Sequence, residues 1–363
     1  MIRKAVFPGC YLQGKDILRN FGGIHALEKK KVFILATHAA IEKIIAVNLS
    51  DWKNICDVTC EKFSGACTWD EINRVLGIAR EGAYDFIIGM GGGKTIDTAR
   101  VVAGQLGVKY IAAPTIAATD APTASACVVY SNEGTVADYF NTRNPDYVIV
   151  DTKVIAEAPV RFLVSGMGDA LATWFEAETC DRSWFQNICG GFALRAIMAL
   201  AHTCYETLLT YGKAARISCE NNLVSPALEY VVEANTLLSG VGFESGGLST
   251  AHGIHDCLCN LEGTHAYYHG EKVAFGALAG LCLEARPEAL IDEVYAFCRS
   301  VGLPTSLAQI GLGDVTNQEL EAAILPVMQN KQSYLHNVRF ELTSEGIVEA
   351  LRMADAMGRD LSE

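Results

Sequence analysis

Four short apolar runs, separated by longer stretches with helical spacing, constrain the fold of the first 150 residues most strongly. The runs cover residues 32–36, 86–90, 110–113 and 147–150, and each is apolar on both faces. Strands buried on both faces are typical of parallel sheets, because helices cover the two sides of such sheets. The intervening segments 69–81 and 94–106 have helical spacing. The alternation predicts a βαβ domain with helices covering a parallel sheet.

The pattern changes after residue 160, where β-rich runs disappear. Long segments rich in Ala, Leu and Glu follow and end at breaks that contain Gly or Pro, which is typical of helices. The predicted helices span residues 167–180, 193–211, 226–238, 273–285 and 346–357. Because 363 residues exceed one ordinary core, we expect an α/β domain at 1–160 and an all-α domain at 161–363.

Charge and cysteine content exclude several classes of protein. The chain carries 29 Lys and Arg against 42 Asp and Glu, and a net charge of −13 repels a phosphate backbone, so nucleic acid is not an expected partner. We expect neither an export signal nor a membrane span. Thirteen cysteines spread along a chain of this length predict reduced thiols and a cytoplasmic location. One residue separates Cys257 from Cys259, fewer than in structural zinc sites, so both are interpreted as ordinary buried thiols, with sensitivity to oxidation as the open alternative.

A glycine-rich turn links a predicted strand to a predicted helix in residues 85–100, DFIIGMGGGKTIDTAR. Glycines let a ligand approach the backbone closely, and free N–H groups at a helix start attract phosphate. A Walker A loop fails at Ile88 and a Rossmann fingerprint fails at Lys94, so the turn is a phosphate-binding turn of another lineage. Lys94 can add a cation for a pyrophosphate. Asp97 is either a first-turn carboxylate favoured by the helix dipole or a hydrogen-bond acceptor for a hydroxyl group.

Asp169, His252 and His269 form a candidate metal site, since one carboxylate and two imidazoles can hold a divalent metal and leave one position open. His252 and His255 lie on one face of any helix that carries them. The residues alone also allow the alternative that these three side chains do not bind a metal. Asp169 stands where a glycine-rich turn enters a predicted helix, where an aspartate is a common N-cap, and single histidines are often ordinary surface or core residues.

Motifs throughout the chain carry a resemblance to a known family. They lie at residues 8–14, 89–97, 113–122, 168–176 and 240–247. Together they resemble the glycerol dehydrogenases of the metal-dependent alcohol dehydrogenase superfamily, which also includes dehydroquinate synthase. The resemblance runs from about residue 5 to residue 358, and the segments GFESGGL at 242–248 and YYHGEK at 267–272 are specific to the glycerol dehydrogenase branch.

The resemblance implies a dehydroquinate synthase-like fold, in which a catalytic metal lies between a dinucleotide-binding domain and a helical domain. It places the metal on Asp169, His252 and His269. Iron-using relatives have a fourth ligand, a histidine four residues after the aspartate, where this chain has Thr173. Three ligands therefore favour zinc. The resemblance also implies a homo-oligomer, an octamer by family habit.

The same matching implies a set of residues that contact NAD, with Asp120 at a substrate hydroxyl and His255 near the nicotinamide. The cofactor set consists of Gly92, Gly93, Lys94, Thr95, Asp97, Thr115, Ala118 and Tyr130, together with three positions where the chain departs from the family, Thr37, Ala124 and Ala126. Thr37 follows the predicted strand where the family has an acidic residue that repels a 2′-phosphate, so use of NADP remains an alternative. His255-Asp256-Cys257 replaces the usual His-Asn-Gly.

The expected activity is therefore zinc-dependent oxidation of glycerol, or a related vicinal diol, to dihydroxyacetone or its analogue by hydride transfer to NAD. The metal and Asp120 would grip neighbouring hydroxyls, and His255 is the candidate relay for the released proton. Four alternatives are a dehydrogenase of another polyol or 2-hydroxy acid, a lyase like dehydroquinate synthase, a P-loop ATPase, which Ile88 disfavours, and a catalytically silent family member.

Overall fold

The computed structural model describes residues 1–131 and 136–360, and the chain divides into two compact units. The α/β unit comprises Phe7–Val160 and Ser218–Gly240. The helical unit comprises Met1–Val6, Arg161–Ile217 and Val241–Glu363. The sequence predicted a single division after residue 160, and the structure differs from it in two segments. Met1–Val6 belongs to the helical unit, and Ser218–Gly240 belongs to the α/β unit.

Long-range hydrogen bonds explain both exchanged segments. In the helical unit, the Lys4 N–H donates to the Phe192 carbonyl at 3.1 Å, and the Phe192 N–H donates to the Ile2 carbonyl at 3.0 Å. In the α/β unit, Gln13 Nε2 donates to the Glu229 carboxylate at 2.8 Å. These bonds join residues more than a hundred positions apart, a separation that no local sequence pattern reveals.

The α/β unit is built on a six-stranded parallel sheet with the order β1-β8-β5-β4-β2-β3. Two further strands, β6 and β7, pair as an antiparallel hairpin. The strands are β1 Tyr11–Gly14, β2 Lys31–Ala36, β3 Asp57–Lys62, β4 Phe86–Gly91, β5 Lys109–Pro114, β6 Ala126–Tyr130, β7 Val136–Asn141 and β8 Tyr147–Asp151. The four apolar runs correspond to β2, β4, β5 and β8, which confirms the predicted parallel sheet.

The helices are numbered α1 to α14 along the chain. They are α1 His38–Ala40, α2 Ala46–Trp52, α3 Trp69–Gly82, α4 Gly93–Leu106, α5 Thr152–Ala156, α6 Val160–Ser183, α7 Arg195–Glu220, α8 Pro226–Glu233, α9 Ser239–Gly246, α10 Thr250–Cys259, α11 His269–Leu283, α12 Glu288–Val301, α13 Asn317–Gln329 and α14 Ser344–Asp360. π-helical turns at Ile41–Ile45 and Ala234–Leu238 join α1 to α2 and α8 to α9. Short 3₁₀ segments lie at Ile17–Gly23, His25–Leu27, Glu262–Thr264, Ala308–Ile310 and Tyr334–His336.

Every predicted helix corresponds to an observed one, and the second half of the chain is helical, as expected. The sequence interpretation missed α9, α10, α12 and α13 in the second half of the chain, and the short helices α1, α2 and α5 in the first. It also assigned residues 226–238 to the all-α domain, whereas α8 and the turn that follows it belong to the α/β unit. Within the described residues, no helix is both long and apolar enough to cross a membrane. All thirteen cysteines are free thiols, as predicted.

The order of the strands identifies where this sheet can bind a ligand. From β2 the chain passes to β3 on one side and then to β4 on the other, so the direction of winding reverses between β2 and β4. Open α/β sheets bind ligands outside the carboxyl ends of the strands at such a reversal. The glycine-rich turn follows β4, and Thr37 follows β2, with its N–H donating to the Met90 carbonyl at 3.2 Å.

Candidate metal centre and nucleotide-binding turn

The three predicted metal ligands lie on three different helices of the helical unit. Asp169 lies in the middle of α6, His252 is the third residue of α10, and His269 is the first residue of α11. Because α6 begins at Val160, the alternative interpretation of Asp169 as an N-cap is wrong. The aspartate is only 1% exposed, so its carboxylate needs polar partners in the interior.

Small residues allow these three helices to approach one another closely. A Cβ atom on Gly270 would lie 1.8 Å from the Ser165 carbonyl oxygen, so α11 crosses α6 nearly backbone to backbone. A Cβ on Gly276 would lie 2.5 Å from the Ala251 carbonyl oxygen of α10. A core of Ala172, Ala251, Val273 and Ala277 fills the space between the helices. The glycines thereby bring one ligand from each helix to a common point.

The ligand atoms converge closely enough to hold one ion. His252 Nε2 lies 3.4 Å from Asp169 Oδ1, and His269 Nε2 lies 3.2 Å from the same oxygen. One atom from each of the three residues lies within 4.8 Å of the others. Burial acts to raise the pKa of Asp169, but the two histidines outweigh it and hold that pKa well below its usual range. An ionised carboxylate facing two imidazoles is a donor set that fits a divalent metal.

Glu176 orients one of the metal ligands, and the sequence interpretation did not identify it. Its Oε2 lies 2.6 Å from His252 Nδ1, and its Oε1 accepts the backbone N–H groups of Ser249 and His252, each at 2.9 Å. A carboxylate bound to one ring nitrogen fixes the tautomer and turns the other nitrogen toward the metal. The available signal was the spacing, since seven residues place Glu176 on the same face of α6 as Asp169.

His255 lies one helical turn after His252, as its spacing predicted, and contacts the second metal histidine. Its Nε2 lies 3.0 Å from His269 Nδ1, and its Nδ1 lies 3.1 Å from Asp256 Oδ1. Burial and the neighbouring His269 lower the pKa of His255 to about 3. The His255 ring is therefore neutral, and its Nε2 holds His269 through the Nδ1 atom of that residue. The role of His255 as a proton relay stays a prediction.

Thr173, which stands where iron-using relatives have a histidine, packs against α9. A Cβ atom on Gly242 would lie 2.4 Å from Thr173 Cγ2, so these two residues are in close contact. The threonine is 1% exposed. Within the residues that the structure describes, the cluster of metal-ligating side chains at this site consists of Asp169, His252 and His269.

The glycine-rich turn in the α/β unit brings together residues from three strand ends. Gly91 ends β4, and a Cβ there would lie 2.6 Å from Thr95 Oγ1 and 2.8 Å from Thr37 Cγ2. The Thr115 N–H, just after β5, donates to the Gly91 carbonyl at 3.0 Å. Gly92 is the N-cap of α4 and Gly93 its first residue. The predicted residues at positions 37, 92–95 and 115 therefore surround one helix N-terminus, where backbone N–H groups attract phosphate.

Lys94 and Asp97 differ sharply in their surroundings. Lys94 is exposed, and its Nζ lies 4.9 Å from the centre of the Tyr130 ring. Asp97 is buried, with Oδ1 3.2 Å from Arg100 Nη1 and Oδ2 accepting the Val128 N–H at 3.2 Å. The first turn of α4 contains no acidic residue, so the interpretation of Asp97 as a first-turn carboxylate is wrong. Its role as an acceptor for a cofactor hydroxyl stays a prediction.

Arg100 holds the loop that carries the remaining predicted residues. Its guanidinium is 1% exposed and donates to the carbonyls of Ala121 and Ala126. Asp120, in the same loop, accepts a hydrogen bond from Ser239 Oγ at 2.9 Å. Ala124 is buried, Ala126 begins β6, and Ala118 lies in the loop after β5. Cofactor and substrate contacts of these residues stay predictions, and no sequence signal had identified Arg100.

Comparisons with known proteins agree with this architecture. The sequence profile described as iron-containing alcohol dehydrogenase matches residues 8–152. A glycerol dehydrogenase of Thermotoga maritima is 45% identical over 99% of this chain and 98% of its own. A glycolaldehyde reductase of Halobacterium salinarum is 39% identical over 97% of each chain. The solved structure of a probable glycerol dehydrogenase from Sinorhizobium meliloti 1021 superposes with a TM-score of 0.91 at 40% identity, covering 99% of both chains. This chain belongs to the iron-containing alcohol dehydrogenase family, among its glycerol dehydrogenases.

Proposed function

We propose that this protein oxidises glycerol, or a closely related vicinal diol, to the corresponding hydroxy ketone and transfers the hydride to NAD. One observation carries the proposal: the chain is 45% identical over nearly its whole length to a glycerol dehydrogenase of Thermotoga maritima. The convergence of Asp169, His252 and His269 within 4.8 Å supports it. A homo-oligomer, an octamer by family resemblance, and a cytoplasmic location remain predictions of the same proposal.

Zinc is the proposed metal, because two imidazoles and one carboxylate form the ligand set of an open catalytic site. A bound zinc ion would supply a Lewis acid that lowers the pKa of the substrate hydroxyl. Asp169 contributes the negative charge, and Glu176 holds His252 with Nε2 directed toward Asp169. His255 braces His269 from the other side.

The residues around the nucleotide turn support the cofactor assignment. Gly92 and Gly93 leave the N-terminus of α4 open to a pyrophosphate, and Lys94 supplies an exposed cation beside it. Asp120 is assigned to a second substrate hydroxyl, which favours vicinal diols over simple alcohols. For the released proton, the proposed path runs from His255 Nδ1 to Asp256 Oδ1, 3.1 Å away.

A panel of substrates tests the proposed reaction. We expect the zinc-loaded protein to form NADH with glycerol and 1,2-propanediol, and to react far more slowly with 2-hydroxy acids. NADP should be the poorer acceptor, and a clear preference for NADP would overturn the NAD assignment and implicate Thr37. Stoichiometric zinc without turnover of any diol would indicate a silent family member. Reaction without net reduction of NAD would indicate a lyase.

A second candidate function is reduction of a short hydroxyaldehyde, which the 39% identity to the glycolaldehyde reductase of Halobacterium salinarum favours. The two candidates differ in their preferred carbonyl substrate. Values of kcat/KM for glycolaldehyde and for dihydroxyacetone, each measured with NADH, distinguish them. A higher value for dihydroxyacetone supports glycerol as the alcohol that this protein oxidises.

A further inference from the structure

Cys259, Lys272 and His255 form a cluster that we call the thiol–amine cluster. The proposed reaction assigns a role to His255 but none to Cys259 or Lys272. Cys259 is the last residue of α10, and Lys272 is the fourth residue of α11. Lys272 Nζ lies 3.1 Å from Cys259 Sγ, and that sulfur lies 3.4 Å from His255 Nε2. The sulfur is therefore held between a cation and an imidazole.

The lysine in this cluster is buried without a carboxylate beside it. Lys272 is 8% exposed, and within residues 1–131 and 136–360 no Asp or Glu oxygen lies within 4.0 Å of its Nζ. A buried ammonium without a counter-ion is costly, so it stabilises any negative charge that forms on a neighbouring group. The acidic group that it contacts is the Cys259 thiol. A cation next to a cysteine favours the thiolate, which is the reactive form.

Two other cysteines of the helical unit provide a contrast. Cys282 is half-buried like Cys259 and lies on the same helix as Lys272, but burial alone sets its environment and raises its pKa to about 11. At Cys259, burial also raises the pKa above its ordinary value, with a smaller contribution from Asp256, and the ammonium of Lys272 offsets part of that rise. Cys257 is fully buried, and its thiol donates to the Gly253 carbonyl at 3.3 Å. Of these three thiols, only Cys259 combines exposure with a cation.

We propose that Cys259 is a peroxide-reactive thiol, activated by Lys272, and that its sulfenic acid is a modification of this protein. The thiolate sulfur attacks one oxygen of hydrogen peroxide, so an S–O bond forms and the O–O bond breaks. Sulfur is oxidised by two electrons, the peroxide is reduced, and the departing hydroxide takes a proton to become water. Cys257 cannot resolve the product as a disulfide, because residues two apart on a helix do not face each other.

The modification reaches the proposed metal centre through one side chain. His255 Nε2 contacts both Cys259 Sγ and His269 Nδ1, so an added oxygen on the sulfur displaces the ring that braces a metal ligand. Oxidation therefore slows the dehydrogenase reaction, a consequence that rests on the proposed function. Reduction by an external thiol such as dithiothreitol restores it, since a sulfenic acid is reversible.

The modification itself is tested without any activity measurement. The zinc-loaded full chain is treated with hydrogen peroxide in the presence of dimedone, which traps sulfenic acids, and labelling at each cysteine is followed by peptide mass spectrometry. We expect Cys259 to be labelled at least about tenfold faster than Cys282. Lys272→Met should reduce the rate at Cys259 to that of Cys282, whereas Lys272→Arg should retain most of it. Equal rates at Cys259 and Cys282 in the unmutated protein overturn the proposal, whether or not the variants fold.

The link to the metal centre has a separate test. Peroxide should lower NADH formation in the unmutated protein, dithiothreitol should restore it, and Cys259→Ala should be resistant. Full activity of the protein labelled at Cys259 overturns the link to the metal centre. If no diol is oxidised by any preparation, the proposed function fails, and the labelling rates still decide the reactivity of Cys259.

Discussion

The metal centre of the helical unit and the nucleotide turn of the α/β unit are assembled in opposite ways. Asp169, His252 and His269 come from three helices and meet because glycines let those helices approach. The N–H groups of the turn that follows β4 come from consecutive residues of one strand–helix connection, and Thr37 and Thr115 at neighbouring strand ends contact that turn. In the metal centre, each ligand atom comes from a single side chain. In the turn, several backbone N–H groups are available to the same phosphate. Single substitutions should therefore be far more damaging in the metal centre.

The largest effect is expected from the buried carboxylate of the metal centre. Asp169→Asn should remove stoichiometric zinc and lower kcat/KM by about a thousandfold or more, because several kcal/mol of charge stabilisation disappear with the metal. Metal analysis and NADH formation measure the two quantities. Asp292→Asn is the control, since Asp292 is an exposed carboxylate of α12 outside the ligand cluster and should leave bound zinc and NADH formation unchanged. Full activity after exhaustive chelation would contradict the assignment.

Arg100→Met tests whether the α/β unit contains an equally sensitive position. The substitution leaves Asp97 buried without its cation and removes the donors to the carbonyls of Ala121 and Ala126. Breaking a buried ion pair costs about 3–5 kcal/mol, so the free energy of unfolding should fall by that amount. Denaturant unfolding measures the loss, and Arg19→Met is the control at an exposed ion pair, the one with Asp51. A loss below about 1 kcal/mol would show that Arg100 does not anchor this loop.

Glu176→Gln should have an intermediate effect, because the residue orients a ligand without being one. Loss of a carboxylate behind a metal-bound histidine typically lowers metal affinity or activity by about 10–100-fold. Zinc titration against a competing chelator, together with kcat, measures the change. Glu178→Gln is the matched control, since it lies two residues further along α6 and pairs with arginines. Unchanged zinc affinity in the Glu176 variant would remove the orienting role.

The smallest effect is expected at the nucleotide turn. Lys94→Gln removes one exposed cation and leaves the backbone of α4 intact. KM for NAD should rise by about fivefold, corresponding to about 1 kcal/mol, with little change in kcat or bound zinc. Lys109→Gln, at the start of β5, is the control. A loss as large as that of the Asp169 variant would erase the contrast between the two regions.

The sequence predicted the sheet well where strands are buried on both faces, as in β2, β4, β5 and β8. It missed β3 because that strand lies at the edge of the sheet and its residues DVTCEK are mostly polar. It missed β1, which is only four residues long and half-buried. It also missed α10, whose short sequence TAHGIHDCLC shows no clear amphipathic pattern, although this helix carries His252 and His255.

Several features of the candidate sites were decided only by the tertiary structure. The contact between Glu176 and His252, the anchoring by Arg100 and the pairing of Cys259 with Lys272 each join residues whose spacing carries no local signal of contact. The same holds for residues 218–240, which join the α/β unit through hydrogen bonds to β1. Long-range partners depend on how closely helices and strands pack, and one close approach at Gly270 is invisible until both backbones are in place.

The sequence by itself determined the alternation of doubly buried strands with helices in the first half, the helical character of the second half, the glycine-rich turn and the identities of three potential ligands. It could do so because burial on both faces, helical spacing and glycine-rich turns act over a few neighbouring residues. Only the tertiary structure decided that Asp169, His252 and His269 share one point, since their convergence depends on three helices crossing at small residues. Chemistry that depends on neighbours far apart in the chain, from the orientation of His252 to the surroundings of Cys259, follows from that packing.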